Sequence, residues 1–496
     1  MKFQCTAFII SLLLLASACE NDADSVASQA DVAAFEQELK QLQAYFHIPG
    51  MAVLVKEGDD IIYENYFGYA DLDAQTPVTA ETLFPIASVS KIFGGVSIFQ
   101  LVEAGKLKLD DPILQYFPNA PIPESVEIQH VLSHTSQGIP GEHFLYSNRF
   151  GALTKAVEKV SKKNYAEYVQ DCILTPLEMT QSYPFGDITL LDTVENLAKP
   201  YEYEGNTREG LYSPGFSTAT GIVTNVRDLA TFDDALDANE LISAAHKKQM
   251  FTPFEEGMPY GLGVFTQNFM NEKLVWGYGQ ENCFSSLFLK LPGRNLTFIV
   301  QANNRLLSDP ARLINGDVTY SLFALNFLKH FAFDLPTTLR FADFQDTSKI
   351  AEFYQNLPET DTAFYRQELL ANALVASFMG AYNAAAFDRS AALLRTAFQH
   401  FPDYKSYGNA SLMHNLAFLF AFSGKTDFTE KMVALGQHLL ETYPENSYVN
   451  YYLGAYFDTT GDLERASQHF RTILDAENYD RNWYTEDAEQ FFENQD

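Results

Sequence analysis

Cysteine is scarce in this sequence, with four residues in 496, and two of them, Cys5 and Cys19, lie close to the N-terminus. Only Cys172 and Cys283 remain, so no framework of disulfides is expected. No group of Cys and His residues has the spacing of zinc ligands. We therefore predict neither a metal site nor another cofactor.

Basic residues are also few, since 33 Lys and Arg face 64 Asp and Glu, for a formal charge of −31. Such an excess of negative charge repels phosphate backbones, which argues against nucleic acid as a partner. Apolar and aromatic residues are abundant, at 47% and 14%. This composition is typical of a globular protein, and the length predicts two or three folded units.

The N-terminal apolar run, from Thr6 to Ala18, is short for a membrane-spanning helix. One Lys precedes the run and small residues end it, as in a secretory signal. The ending LLASAC resembles the lipobox of bacterial lipoproteins, in which the Cys is acylated; the alternative is ordinary cleavage beside a chance Cys. We expect a signal at residues 1–19, lipidation of Cys19, and an exported, periplasmic or cell-envelope protein anchored to a membrane. A polar tether is expected at residues 20–34.

Two groups of β-rich segments lie far apart in the chain. Residues 51–58 and 61–70 flank a Gly-Asp-Asp turn and predict a hairpin. Residues 273–280, 283–292 and 296–304 predict three further strands. The simplest arrangement that buries all five is one antiparallel sheet flanked by helices, with a helical subdomain between the two groups. The expected fold class is therefore α/β, of the α+β kind.

The segment SVSKIFGGVSIFQLVEAG is apolar nearly all round, which predicts a buried helix that ends at Gly105. Ser88 would lie at its N-terminus, with Lys91 on the same face and within reach. Ser-x-x-Lys is expected about once by chance in such a chain, so the motif alone does not indicate a catalytic site. The neighbouring sequence must show whether Ser88 and Lys91 form one. For acyl transfer, Ser88 would be the nucleophile, and Lys91 would be its base if burial keeps it neutral.

A second candidate group is Tyr146-Ser147-Asn148, although Tyr-x-Asn also occurs elsewhere in the chain. This copy follows the loop HVLSHTSQGIP and opens a new helical pattern, so a phenol and an amide can project from it into a cleft. His130 and His134 of that loop are expected to be structural rather than catalytic.

From about Ile350 the sequence pattern changes. Three stretches, at residues 374–404, 411–446 and 447–479, each have the pattern of a helical hairpin. They resemble tetratricopeptide repeats, whose period is about 34 residues. The alternative is an unrelated helical bundle. We expect an all-α, repeat-like solenoid at residues 350–496 that binds a protein partner or packs on the rest of the chain.

Five motifs follow one another along the chain: FPIASVSK, HVLSHTSQGIP, LYSN, STATGIVTNVRDLATF and FSSLFLKLPGRNLTFIVQANN. Together they resemble the serine β-lactamase and penicillin-binding-protein superfamily over residues 35–335, and most closely its class C-like branch. The resemblance implies that Ser88 is the acylated nucleophile and Lys91 its activator. It also implies that Tyr146 is the general base for acylation and deacylation, and that Asn148 contacts a substrate amide.

The third family motif is altered. Where the family has Lys-Thr-Gly or His-x-Gly, this chain offers Tyr278-Gly279-Gln280 as the substrate-binding strand. Tyr278 can still donate a hydrogen bond, but a cation that would hold a substrate carboxylate is missing from this position. Arg149 or Arg305 would have to replace it.

By analogy with the family, the oxyanion hole consists of the backbone N–H of Ser88 and one from either Gln280 or Glu281. Three hypotheses remain open. The first is an exported serine hydrolase that acts on small-molecule or peptide esters or amides without an essential carboxylate. The second is a β-lactamase, D,D-peptidase or D-aminopeptidase, and the third is a non-catalytic binding protein that keeps the fold.

Overall fold

The computed structural model describes residues 29–186, 194–213, 215–335, 338–357, 362–401, 433–475 and 483–495, except for residues 435, 438–439, 442–443 and 446. The predicted signal, Cys19, the start of the predicted tether and most of the second predicted repeat lie outside the described residues. Residues 29–34 of the predicted tether belong to the first helix.

Short strands and helices alternate through the first two thirds of the chain. The strands are β1 Gly50–Glu57, β2 Asp60–Asp71, β3 Thr76–Pro77, β4 Phe84–Pro85, β5 Tyr183–Pro184, β6 Tyr201–Tyr203, β7 Thr207–Glu209, β8 Ile222–Thr224, β9 Phe265–Phe269, β10 Glu272–Gln280, β11 Ser285–Leu291 and β12 Leu296–Ala302. The α-helices of the described residues are α1 Gln29–Tyr45, α2 Ser90–Glu103, α3 Ile128–Leu132, α4 Leu153–Ser161, α5 Tyr165–Val169, α6 Val226–Asp237, α7 Ala244–Met250, α8 Leu322–Phe327, α9 Thr347–Gln355, α10 Thr362–Met379, α11 Ala384–His400, α12 Ser447–Thr459, α13 Leu463–Leu474 and α14 Trp483–Glu493.

The main sheet has seven strands in the order β3-β2-β1-β12-β11-β10-β9, and every neighbouring pair is antiparallel. The predicted hairpin is β1–β2, and strands from both ends of the region meet where β1 pairs with β12. The predicted count of five strands was too low, because β3 and β9 extend the two edges. β3 has only two residues, and β9 lacks a run of β-branched residues, so neither carries a strong strand signal.

Both faces of the sheet are covered. One apolar cluster joins α1 and α8 to one face, and a second joins α2 and α6 to the other. β11 and β12 are buried along their whole length. Their nearly continuous apolar sequences follow from this burial on two sides.

Helix α2 is buried as predicted, and the chain leaves it at Gly105, whose φ is +65°. A Cβ at Gly94 would lie 2.4 Å from Thr218 O, so glycine allows the helix to approach the 217–220 segment closely. This packing brings the start of α2 against the segment that precedes β8.

A buried charged cluster attaches α6 to the sheet. Asp233 accepts hydrogen bonds from Lys290 at 2.8 Å and from Thr297 at 2.7 Å, and Lys56 lies 3.1 Å away. Asp233 and both lysines are at most 2% exposed. Charges buried this deeply persist in folded proteins only when they are paired.

The C-terminal third consists of helices wherever the structure describes it. Helices α10 and α11 are joined by a turn at residues 380–383, and α12 and α13 by a turn at residues 460–462. Each pair packs together as a helical hairpin. Among the helices described, none has the length and apolar character to cross a bilayer.

Candidate active site

Ser88 lies in a 3-10 turn, Ala87–Val89, that leads from β4 into α2. The turn is anchored because Ile86 N–H donates to Ile222 O and Val89 N–H donates to Ile86 O, each at 3.0 Å. Ala87 has φ +44°, a left-handed conformation that costs energy for a residue with a Cβ. The anchored turn leaves Ser88 half-buried between buried neighbours.

Lys91 lies one helical turn after Ser88 and is only 4% exposed. Its Nζ donates to Ser88 Oγ at 2.9 Å and to Ala219 O at 3.2 Å. Burial lowers the pKa of Lys91 to about 7, because the ammonium loses its hydration. A large share of Lys91 is therefore neutral near pH 7, and a neutral amine can accept the proton of Ser88.

Tyr146 forms the opposite wall of the site. Its ring stacks on Phe265 with centroids 5.5 Å apart and packs against His134 at 4.2 Å. Burial raises the pKa of Tyr146, and a hydrogen bond with Ser88 offsets part of the rise. The phenol is therefore protonated at neutral pH and lies within hydrogen-bonding reach of the Ser88 hydroxyl.

His134 orients the loop that carries Tyr146. Its Nδ1 accepts a hydrogen bond from Ser147 N–H at 3.1 Å, and its carbonyl accepts one from Leu145 N–H at 2.8 Å. Burial and the nearby Lys91 hold the pKa of His134 well below its ordinary value, so the ring is neutral. These contacts give His134 a structural function in the site.

A cleft of about 460 Å³ opens at the Ser88 hydroxyl. It is lined by Ser88, Tyr146, Ser147, Asn148, Tyr278, Gln280, Asp309, Arg312, Ile314 and Asn315. Asn148 begins a 3-10 helix, Asn148–Ala152, whose N-terminus is capped by Ser147 Oγ accepting from Arg149 N–H. The structure thus brings the predicted residues of the three motifs to one cleft, with Lys91 buried behind Ser88.

Strand β10 packs directly against the Ser88 turn. A Cβ at Gly279 would lie 2.1 Å from Ile86 O, so only glycine allows this approach. Ser286 of the neighbouring strand donates its hydroxyl to the same carbonyl at 2.9 Å. The predicted substrate-binding strand therefore lies beside the nucleophile, and Gly279 is needed to keep it there.

The hydrogen-bond pattern of β10 distinguishes the two candidates for the second oxyanion donor. Glu281 N–H donates to Phe284 O at 2.9 Å and is therefore occupied. Gln280 pairs with Ser285 at the next position of the ladder. Backbone groups alternate in direction along an antiparallel strand, so the N–H of Gln280 points away from β11, towards the free edge of β10. Of the two candidate donors, Gln280 therefore has the N–H that faces away from β11, and Glu281 has an N–H that is already paired.

The cation of the cleft is Arg312, which sequence reasoning missed. Arg149 donates to Ser136 O at 2.8 Å, and Arg305 lies 3.4 Å from Glu204; among the described residues, neither lines this cleft. Arg312 does line it, with a guanidinium nitrogen 3.2 Å from an oxygen of Asp309. Burial lowers the pKa of Arg312, but a guanidinium stays charged in proteins.

Asp309 joins this cation to the oxyanion strand, because it also accepts a hydrogen bond from Gln280 Nε2 at 3.0 Å. The sequence signal for both residues is a Ser-Asp-Pro turn that follows β12, where loop residues are placed at the edge of a sheet. In the part of the chain that the structure describes, no group of three His, Cys, Asp or Glu residues has the geometry of a metal site.

Comparisons with known proteins agree with this geometry. The chain resembles penicillin-binding protein 4* of Bacillus subtilis (strain 168), with 25% identity over 360 residues, which cover 61% of this chain and 77% of that protein. It resembles protein flp of Staphylococcus aureus (strain MW2) with 27% identity, over 52% of this chain and 60% of that protein. Among solved structures, the octameric penicillin-binding protein homologue from Pyrococcus abyssi matches with a TM-score of 0.54 and 26% identity, over 61% of this chain and 80% of that chain.

The sequence profile of the family described as "Beta-lactamase" matches residues 35–315, which is more than half of the chain. The matched residues include Ser88, Lys91, Tyr146 and strand β10. The chain belongs to the beta-lactamase family.

Proposed function

We propose that this protein is a serine hydrolase of the class C-like branch that forms a covalent acyl-enzyme on Ser88. The observation that carries the proposal is the 2.9 Å contact between Lys91 Nζ and Ser88 Oγ in a site where Lys91 has a pKa of about 7. A hydroxyl becomes a nucleophile when an adjacent base accepts its proton.

In acylation, Ser88 Oγ attacks the carbonyl carbon of an ester or amide, and its proton passes to Lys91. The carbonyl oxygen becomes an oxyanion that accepts hydrogen bonds from the N–H groups of Ser88 and Gln280. When the bond to the leaving group breaks, Tyr146 relays the proton from Lys91 to the departing oxygen or nitrogen. Water then attacks the acyl-enzyme with the same groups in reverse roles, releasing the acid and restoring Ser88.

In this scheme Tyr146 relays a proton, whereas the family resemblance implies that it is the general base. The raised pKa of Tyr146 favours a protonated phenol, which suits a relay between Lys91 and the leaving group. Lys91 is the group that is partly neutral near pH 7 and is therefore the first proton acceptor.

Intact-mass analysis after reaction with a fluorophosphonate probe tests this proposal. One adduct is expected on the wild-type protein and none on Ser88→Ala, whereas Tyr146→Phe should slow the hydrolysis of an amide, whose leaving nitrogen needs a proton, by about 10²-fold or more. Ser90→Ala is the matched control, because Ser90 lies two residues away, its hydroxyl accepts a hydrogen bond from Ile222 N–H, and it does not line the described cleft. An adduct that survives Ser88→Ala, or no adduct on the wild-type protein, contradicts the proposal; the latter result favours the non-catalytic hypothesis.

Arg312 supports a second candidate, in which the substrate carries a carboxylate, as β-lactams and D-alanyl peptides do. A guanidinium can bind a carboxylate through two hydrogen bonds, and Arg312 lines the same cleft as Ser88. This candidate keeps the β-lactamase, D,D-peptidase or D-aminopeptidase hypothesis, with Arg312 in place of the Arg149 or Arg305 expected from sequence. Faster hydrolysis of nitrocefin or a D-alanyl peptide than of a neutral nitrophenyl ester, reversed in Arg312→Ala, would favour it.

Export and lipid anchoring at Cys19 are part of the proposal and rest on the N-terminal sequence alone. A lipid mass on Cys19 that is lost in Cys19→Ala tests the anchor.

Tetratricopeptide-like repeats over residues 350–496, with a protein partner, are also proposed; the two helix pairs α10–α11 and α12–α13 support them. Affinity capture with the full-length chain, compared with a chain altered on the exposed faces of α12 and α13, tests the partner.

A further inference from the structure

The segment that follows β12 lies between the cleft and the C-terminal helices. It forms three successive 3-10 turns, Arg305–Leu307, Asp309–Ala311 and Leu313–Asn315. On one side of the segment, Asp309 and Arg312 line the cleft. The other side contacts helix α10. Backbone hydrogen bonds close each turn, as from Arg312 N–H to Asp309 O at 3.1 Å, but the long side chains of Arg305 and Arg312 are positioned by what packs against them.

Two residues of the C-terminal region contact arginines of this segment. The guanidinium of Arg312 lies over the ring of Phe378, at 5.2 Å from its centre. Arg305 donates a hydrogen bond to Tyr382 Oη at 3.2 Å, and the Tyr382 ring also packs edge-on against Tyr203 at 5.2 Å. A cation over an aromatic face is attracted by the electrons of the ring, which fixes the plane of a guanidinium as well as its distance.

These contacts continue to the reaction centre through Asp309. Arg305 lies 3.4 Å and Arg312 3.2 Å from the Asp309 carboxylate. The same carboxylate accepts the hydrogen bond from Gln280, whose backbone N–H fits the oxyanion site. Tyr382 is thus linked to the cleft by contacts through Arg305 and Asp309, and Phe378 contacts a residue that lines the cleft.

The C-terminal helices are firmly attached at this place. Apolar residues of α10 and of residues 306–328 belong to one continuous buried cluster. A buried ion-pair cluster adds to this attachment. Lys329 lies 2.7 Å from Glu368 of α10 and 3.1 Å from Glu38 of α1, and all three side chains are at most 4% exposed. Helix α10 therefore cannot shift relative to the catalytic region without separating buried charges, which is costly.

We propose that Phe378 and Tyr382 are positioning residues for the cleft, so that the C-terminal helices set the affinity of the site for a substrate carboxylate. They hold the guanidinium of Arg312 and the carboxylate of Asp309 in place at the cleft that Ser88 also lines. This inference rests on the second candidate of the proposed function, in which the substrate carries a carboxylate, since it concerns the same cleft. Neither residue touches the substrate.

The test uses the full-length chain with Phe378→Leu, which keeps an apolar side chain but removes the ring face, and Tyr382→Phe, which removes only the hydroxyl. The matched control is Tyr451→Phe, which removes a hydroxyl that donates to Asp487 at 2.7 Å elsewhere in the C-terminal helices. Two measurements are made on each variant.

The first measurement is the rate at which phenylglyoxal modifies Arg312, followed by peptide mass spectrometry. It is expected to rise about threefold or more in Phe378→Leu and to stay unchanged in Tyr451→Phe. The second is the KM for N-acetyl-D-alanyl-D-lactate and for its carboxamide, which lacks the charge. The KM for the carboxylate form is expected to rise about fivefold in Phe378→Leu and Tyr382→Phe, while the KM for the carboxamide and the rate of the fluorophosphonate adduct stay unchanged.

An unchanged rate of Arg312 modification in Phe378→Leu overturns the inference, as does an equal rise in KM for the charged and uncharged substrates. Failure of the proposed function gives a different result, because the wild-type protein would then form no serine adduct. The phenylglyoxal measurement needs no turnover and still decides the inference in that case.

Discussion

Lys91 Nζ lies 4.8 Å from the centre of the Tyr146 ring; Lys91 is buried, and Tyr146 is half-buried at the wall of the cleft. Burial disfavours the charged form of each group, so it lowers the pKa of Lys91 to about 7 and raises that of Tyr146. Near pH 7 the resting pair is therefore an amine that is partly neutral and a phenol that keeps its proton. Of the two, the amine is the better acceptor for the proton of Ser88.

The rate of acylation should rise with pH as Lys91 loses its proton. Below pH 7 the ammonium predominates and cannot act as a base, so the rate falls about tenfold per pH unit; above pH 7 it reaches a plateau. The fluorophosphonate reaction measured between about pH 5 and pH 9 checks this. Glu368→Gln is the control, because Glu368 also has a pKa of about 7 but lies outside the cleft. An inflection that disappears in this control contradicts the assignment to Lys91.

Replacing Lys91 with Met should abolish acylation and raise stability. The pKa of Lys91 is lower in the folded state, so between pH 7 and pH 10 the unfolded chain binds more protons and stability rises with pH. Lys91→Met removes this cost at neutral pH, and the free energy of unfolding should increase by about 0.5–2 kcal/mol. Urea unfolding at pH 7 and pH 9 measures it. A variant that is less stable at both pH values would show that the contacts of Lys91 outweigh its desolvation.

Gly279→Ala should damage the site more than Gly277→Ala. The new methyl group at 279 would lie 2.1 Å from Ile86 O and must push β10 away from the Ser88 turn, whereas at 277 it would lie 3.2 Å from the flexible end of Ile92. We expect a loss of about 1–3 kcal/mol of stability and of most adduct formation for Gly279→Ala. Thermal unfolding and the rate of labelling measure both effects, and equal behaviour of the two variants would contradict the proposed close approach.

Asp233→Asn should destabilise the protein strongly, by about 3–5 kcal/mol, because it leaves Lys56 and Lys290 buried without their shared carboxylate. Burial raises the pKa of Asp233, but attraction by Lys290 and Lys56 outweighs it, and the net pKa is lowered. The stabilisation is therefore present above the ordinary Asp pKa and is lost as pH falls through the lowered value. Urea unfolding from pH 7 down to pH 3 checks both statements. Asp237→Asn is the control, since Asp237 is 34% exposed and should matter less.

Much of the site was predictable because it depends on local sequence. Ser88 and Lys91 are separated by one helical turn, and an apolar helix buries whatever lies at its start, so their contact and the lowered pKa of Lys91 follow from a short stretch. The five longest strands were equally predictable: β11 and β12 are apolar because both of their faces are buried, and β2 is rich in Ile, Tyr and Phe although it is partly exposed. The edge strands β3 and β9 were not, because their short sequences are strands only through pairing.

By itself, the sequence indicated Ser88 and Lys91 as the candidate nucleophile and base, and it determined the order of the motifs and the antiparallel sheet formed from both ends of the family region. Only the tertiary structure decided that Gln280 rather than Glu281 points its N–H to the cleft, because the direction of a backbone group depends on strand register. It also decided that Arg312 is the cation of the cleft and that Phe378 and Tyr382 contact the arginines beside it. Contacts between residues some 70 positions apart depend on how helices pack against a loop, and no local pattern records that packing.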